Sequence, residues 1–251
     1  MRGKRLIPPL VAIAVWQIIT TVGGVPSYKL PSPLQVLGGL KDLAVVGLPP
    51  GHLLHTHALY SLKRVFLGYS LAVSVGIPLG IAVGWSRRVR FVVEPFIELL
   101  RPIPPLAWIP IAILWFGIGI KSAAFIIFLG AFFPILLNTS AGVLAVDPLL
   151  IEAMRTLNGK PRDIIFKVLI PGSIPSIITG MRIGVGLGWM TLVAAEFSGV
   201  KQGYGLGYMI MTARDIQRPD EILAGMFFIG VAGFVIDGSL RLLEKSLIKW
   251  R

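Results

Sequence analysis

The sequence predicts an all-α polytopic membrane protein with six transmembrane helices, and three observations predict it. The mean hydropathy is +0.80. Of the 251 residues, 55% are hydrophobic and only 14% charged, where a soluble domain carries about a quarter charged. Uncharged runs reach the roughly 20 residues that cross a hydrocarbon core, and Lys and Arg fall mostly between those runs.

Residues 6–22 form the first span. Arg2, Lys4 and Arg5 precede it as in a signal peptide, but Thr21-Val22-Gly23-Gly24 is a poor cleavage site, so the span is read as uncleaved. Residues 23–54 make an external segment, within which 31–43 is weakly amphipathic and lies along the outer surface. Residues 65–85, 102–120 and 122–146 contain no charge and give spans two to four. The short turn at 117–121 makes spans three and four a tight antiparallel pair. Residues 173–195, interrupted only by Arg182, give the fifth span; 222–236 give the sixth, extended past Asp237 by snorkelling. Residues 1–55 thus hold the first helix and the external segment. Residues 56–245 hold a transmembrane core with a polar loop at 147–171. With both termini cytoplasmic, 16 of the 24 Lys and Arg lie inside, Arg64 among those outside, and the loop is cytoplasmic.

That loop is patterned as a helical hairpin. Asp147 is an N-cap with Pro148 at the first helical position. Leu150, Ala153, Met154 and Leu157 form one apolar stripe. Asn158-Gly159 supplies a left-handed stop. Pro161 opens a second helix with Asp163 in its first turn and an apolar face of Ile164, Ile165, Val168 and Leu169, and Pro171 ends it. A hairpin with an apolar ridge outside the bilayer is built to dock or, failing that, to lie on the inner leaflet.

The run Glu152-Ala153-Met154, then Asn158-Gly159, then Val168-Leu169-Ile170-Pro171 resembles the "EAA" loop of permease subunits from binding-protein-dependent ABC importers, with the spacing kept and no gap. Met154 replaces the second Ala, Asn158 stands where the Gly belongs and Ile170 replaces the Leu; Asn tolerates a left-handed backbone, so the turn is expected to survive. LPSPLQVL near residue 30, RPIPPLAWIPIAILWFGIG from Arg101, GAFFPILLNT from Gly130 and SGVKQGYGLGYMI from Ser198 are similar to the sulfonate/taurine/nitrate class of these permeases. The resemblance implies a type I ABC importer permease fold in a bacterial or archaeal plasma (inner) membrane. It implies docking of ATPase subunits at Glu152, Ala153, Met154, Leu157, Asn158, Gly159 and Pro171. The partners implied are two ABC ATPase subunits, a second permease copy as a homodimer, an external or periplasmic substrate-binding protein and the lipid bilayer. The alternatives are an importer for a neutral heterocycle or vitamin precursor, and an ion-coupled secondary transporter. The absence of an internal repeat argues against the latter.

Other residues are candidates for the substrate path. Gly68, Ala72, Gly76, Gly80 and Gly84, and Gly172, Ser176, Gly180, Gly184 and Gly188, form two ladders of small residues at every fourth position. Such ladders pack helices closely; Gly184 and Gly188 are also candidates for lining the pathway. Pro104 and Pro105, with Pro102 and Pro110, break up the start of the third span, where Trp108 packs or sits in an aromatic belt. Irregular backbone at that depth is tolerated where it is buried or lines a cavity. Glu196, at the end of the fifth span, either lines the pathway or gate or pairs with Lys201 at the interface. Arg182 is the one basic residue expected inside a span.

Several chemistries are excluded or unsupported. The net charge of +12 is spread over loops without a clustered basic face, so no nucleic acid is expected. There is no cysteine, and His52, His55 and His57 lack a further ligand to make a metal site. Gly203-Tyr204-Gly205-Leu206-Gly207 reads as an external loop re-entering the protein. Gly119-Ile120-Lys121-Ser122 lacks the Gly before Lys that a phosphate-binding loop needs. The chain is therefore not expected to be an enzyme or to bind a cofactor; ATP and Mg belong on the partner ATPase.

Overall fold

The computed structural model describes residues 7–197 and 203–247, the last five by backbone alone. Contacts divide the chain into two units, Met1–Ser61 with Gln202–Ala232, and Leu62–Lys201 with Gly233–Arg251.

The first unit holds α1 (Ile7–Val22), α2 (Pro33–Val45), the opening turns of α3 (Leu54–Trp85), α10 (Leu206–Asp215) and the beginning of α11 (Pro219–Leu247). The segment expected as amphipathic is α2, and its start is explained by a reciprocal cap. Ser32 Oγ accepts from the Gln35 N–H while the Ser32 N–H donates to Gln35 Oε1. Gly39 lets α2 approach α11, for a Cβ there would stand 2.9 Å from the Asp220 carbonyl. Two of the three histidines, His52 and His57, are held in structural contacts, and His55 is exposed. His57 is fully buried; its Nε2 lies 3.0 Å from the Leu48 carbonyl, and the Gly205 N–H donates to its Nδ1. Ser61 Oγ accepts from the Leu206 N–H, and Tyr204 stacks on His52 and Tyr60. The glycine-rich run at 203–207 is thereby tied down ahead of α10.

In the second unit α6 (Ile120–Leu144) is central. The glycine ladder of α3 lies on it in parallel: Gly68 faces Ala124 and Ile127, Gly76 faces Ile135, Gly80 faces Thr139 and Gly84 faces Val143. The ladder of α9 (Ile170–Phe197) lies on it antiparallel, with Gly188 at Ile127, Gly184 at Ala131 and Ile135, and Gly180 at Asn138. Small residues thus bring both helices into backbone contact with α6.

The parallel pairing of α3 and α6 requires residues 86–119 to run back the length of the unit. They do so as α4 (Arg87–Leu100), a 3₁₀ turn (Pro105–Trp108) and α5 (Ile109–Phe116), bent by 87° at the break. This corrects the expected third span: residues 102–120 are not one helix, because Pro104 and Pro105 lack the N–H groups that would join α4 to α5. The polar α4, read from sequence as a loop, is part of the return.

Among the described residues, four helices are long and apolar enough to cross a bilayer: Leu54–Trp85, Ile120–Leu144, Pro161–Phe197 and Pro219–Leu242. The bent α4–α5 pair makes a fifth if it is one broken span, and the 16 residues of α1 are short for a sixth. Asp237 does not snorkel alone: it pairs with Arg182 at 3.4 Å and with Arg241 at 2.7 Å.

Candidate functional site: a capped hairpin and a buried ion pair

The hairpin forms as its residues dictate. Asp147 Oδ1 accepts from the Leu149 N–H at 2.9 Å, and Pro148 begins α7 (Pro148–Thr156). The helix ends in a left-handed turn centred on Asn158, with φ +59°. The Asn158 N–H donates to the Arg155 carbonyl and the Gly159 N–H to the Met154 carbonyl, both at 2.9 Å, which satisfies the last carbonyls of the helix. Asn158 therefore does the work of the missing glycine. The second arm opens as α8 (Pro161–Ile164), where Asp163 Oδ2 accepts from the Lys160 N–H and Oδ1 pairs with Lys167 at 2.8 Å.

The second arm does not stop at Pro171. A π turn over Ile165–Leu169 passes into α9, so Pro161–Phe197 is one continuous helical stretch. The wide turn shifts the hydrogen-bond register just where Pro171 has no N–H to give, and Ser173 Oγ donates to the Leu169 carbonyl at 2.7 Å.

The hairpin has two faces. Ile151 and Met154 turn inward onto Val143, Val146, Ile164 and Leu169, which fixes the hairpin to the end of α6. Met154 is thus a packing residue rather than part of the free ridge. The exposed face carries Glu152 and Ala153, with Leu149 at 67%, Leu150 at 53% and Leu157 at 78% exposure. Phe166, missed in the sequence, adds an exposed ring on the second arm, with the Arg162 guanidinium 5.7 Å from its centroid.

The other candidates do not gather at one point. Pro104 is exposed, and Trp108 packs on Ala112, Ala123, Ile126 and Ala195, beside the half-buried Pro105. Gly184 and Gly188 are buried against α6. Glu196 is fully buried and pairs with Arg64 at 2.6 Å; Lys201, its alternative partner, lies outside the described residues. Arg64 is likewise fully buried, and its Nε and Nη2 have no partner among the described residues. Arg64, counted in the sequence among the charges outside, is thus buried within the protein rather than exposed to solvent. A signal was present: Arg64 continues the ladder of α3 by one turn, and Leu192 and Glu196 continue that of α9 by two. The ion pair closes the two stripes at the same end of α6, in a low-dielectric setting where either charge alone would be costly.

The family profile described as the binding-protein-dependent transport system inner membrane component matches residues 76–249. A putative ABC transporter permease protein of Methanocaldococcus jannaschii is 46% identical over 97% of this chain and 90% of its own length. The putative aliphatic sulfonates transport permease protein SsuC of Bacillus subtilis is 39% identical over 99% of this chain and 87% of its own. The taurine transport system permease protein TauC of Escherichia coli is 40% identical over 96% and 86%. Among solved structures, an inward-facing form of the MetNI methionine ABC transporter superposes with a TM-score of 0.67 at 20% identity, covering 76% of this chain and 94% of that one.

Proposed function

The chain belongs to the family of inner membrane components of binding-protein-dependent transport systems, and from that premise we propose how it works as the permease subunit of an ABC importer. Two ATPase subunits dock on the cytoplasmic hairpins of two identical permease chains, and an external binding protein delivers the substrate to the opposite face. ATP-driven closure of the ATPases moves the hairpins, and because Ile151 and Met154 pack on the end of α6 and on the second arm that runs into α9, the spans move with them. Both termini are cytoplasmic.

The single observation that carries the docking assignment is the capped hairpin: rigidly seated below, apolar and unpartnered above. A permease dimer follows from one hairpin per chain and two ATPases to engage, and identical chains are the arrangement proposed. For the substrate, the reading rests on the relatives' names, and it is a small anion or zwitterion of the sulfonate, taurine and nitrate class.

The test is ATP hydrolysis by the reconstituted permease–ATPase complex. Hydrolysis should rise only when the binding protein carries a sulfonate, taurine or nitrate. Stimulation by a binding protein loaded with a pyrimidine instead would replace the anion reading with that of a neutral heterocycle.

A further inference from the structure

The exposed side chains of α4 are sorted by arc. Phe91, Val92, Phe96 and Leu99 share one arc and are 82%, 60%, 62% and 71% exposed. The opposite arc carries Arg90, Glu94, Glu98 and Arg101, and with Leu136 and Ser140 of α6 it lines a cavity of about 410 Å³. Arg88, in the first turn, is the one charge on the apolar arc, while Glu94, Glu98 and Arg101 are exposed on the arc that lines the cavity; an ionised arc on a cavity, opposite an apolar one, suits a helix that borders a wet path through a bilayer.

The four charges are not paired off. Arg90 is anchored, its Nε donating to the Val83 carbonyl and its Nη2 to that of Gly84 at the end of α3. Glu94, Glu98 and Arg101 have no hydrogen bond or ion pair with another side chain among the described residues. Two carboxylates one turn apart on the same face repel each other, and a cation placed between them relieves that. Arg101, one further turn along, offers its donors to an acid group.

We propose that the cavity between α4 and α6 is a transit site for a small zwitterion, with Glu94 and Glu98 facing its ammonium and Arg101 its acid group. The proposal rests on the permease reading and narrows it. An amino-sulfonate or amino acid satisfies both ends of the cavity, whereas a simple anion leaves both carboxylates unmatched.

Because the chain has no cysteine, one introduced thiol reports alone. Ser140→Cys, or Leu137→Cys on the same wall, is placed in the permease–ATPase complex in proteoliposomes and treated with a small water-borne thiol reagent. Phe91→Cys on the apolar face of α4 is the comparison. The wall thiol should react roughly tenfold faster than that of Phe91→Cys, a barrier lower by about 1.4 kcal/mol. Taurine and β-alanine should slow it, ethanesulfonate should not, and Glu94→Gln with Glu98→Gln should abolish the protection. A wall thiol as inert as that of Phe91→Cys, equal protection by taurine and ethanesulfonate, or no protection by either zwitterion overturns the proposal. ATP-driven uptake in the same vesicles tests the importer reading separately. Uptake without protection overturns the transit site alone, and protection without uptake overturns the importer alone.

Discussion

Replacing Gly159 with valine asks whether the shape of the hairpin turn transmits the ATPase stroke. A Cβ at Gly159 would stand 2.7 Å from Met154 Cγ, 2.9 Å from its Sδ and 2.8 Å from its carbonyl oxygen. The sulfur end of Met154 can swing, but the carbonyl cannot, because it accepts the Gly159 N–H that closes the turn. Either the turn opens or Met154 leaves the cluster with Ile164 and Leu169. Overpacking of this kind costs about 1–3 kcal/mol, which lowers the docking-competent hairpin by roughly 5- to 150-fold. Permease and ATPase are co-expressed, and membrane yield, ATPase co-purification and uptake are measured. Yield should hold while co-purification and uptake fall by at least roughly fivefold. Asn158→Gly should be nearly silent, since it keeps a residue suited to φ +59°. Asn158→Val should reproduce the defect, because a side chain in the left-handed region costs about 1–2 kcal/mol. Full co-purification and uptake in Gly159→Val would refute the reasoning.

Three further outcomes are expected. A thiol introduced by Lys160→Cys should react only from the cytoplasm and one introduced by Lys29→Cys only from outside; the reverse pattern overturns the orientation. Glu196→Gln strands the buried Arg64 guanidinium and should cost about 3–5 kcal/mol, whereas Arg64→Met with Glu196→Leu should be near neutral. Thermal unfolding in detergent compares the two, and equal stability would show that the pair does not act as a unit. Gly80→Ala, whose Cβ would lie 2.7 Å from Thr139 Cβ, should lose about 1–3 kcal/mol. At Gly186 nothing lies within 4 Å, so Gly186→Ala should leave the unfolding midpoint in place; equal losses at both sites would remove the close-packing account.

Much of this was legible in the sequence where a local rule decides the outcome. Asp147, Pro148 and Asn158 set the hairpin because caps and left-handed turns depend on neighbouring backbone alone. The two small-residue ladders announced close packing, though not that both lie on α6. What escaped depends on tertiary context. Pro171 reads as a stop, yet a π turn absorbs it within a longer helix. Arg64 reads as a loop cation, and only Glu196, distant in the chain, makes its burial tolerable. Residues 87–101 carry the charge of an inter-span loop, and that count hides an arc of Phe91, Val92, Phe96 and Leu99 interrupted only by Arg88 in the first turn. Met154 lies on the stripe with Leu157, but at the edge of a stripe the packing partner decides which residue turns inward.

The account stands on uptake being driven by ATP through a separate subunit. Proteoliposomes holding the permease with its ATPase, and supplied with loaded binding protein, should accumulate substrate when ATP is enclosed on the hairpin side. They should accumulate none when ATP is replaced by a non-hydrolysable analogue, whatever proton or sodium gradient is imposed. Accumulation driven by an ion gradient, with the permease alone and no ATP, would contradict the account.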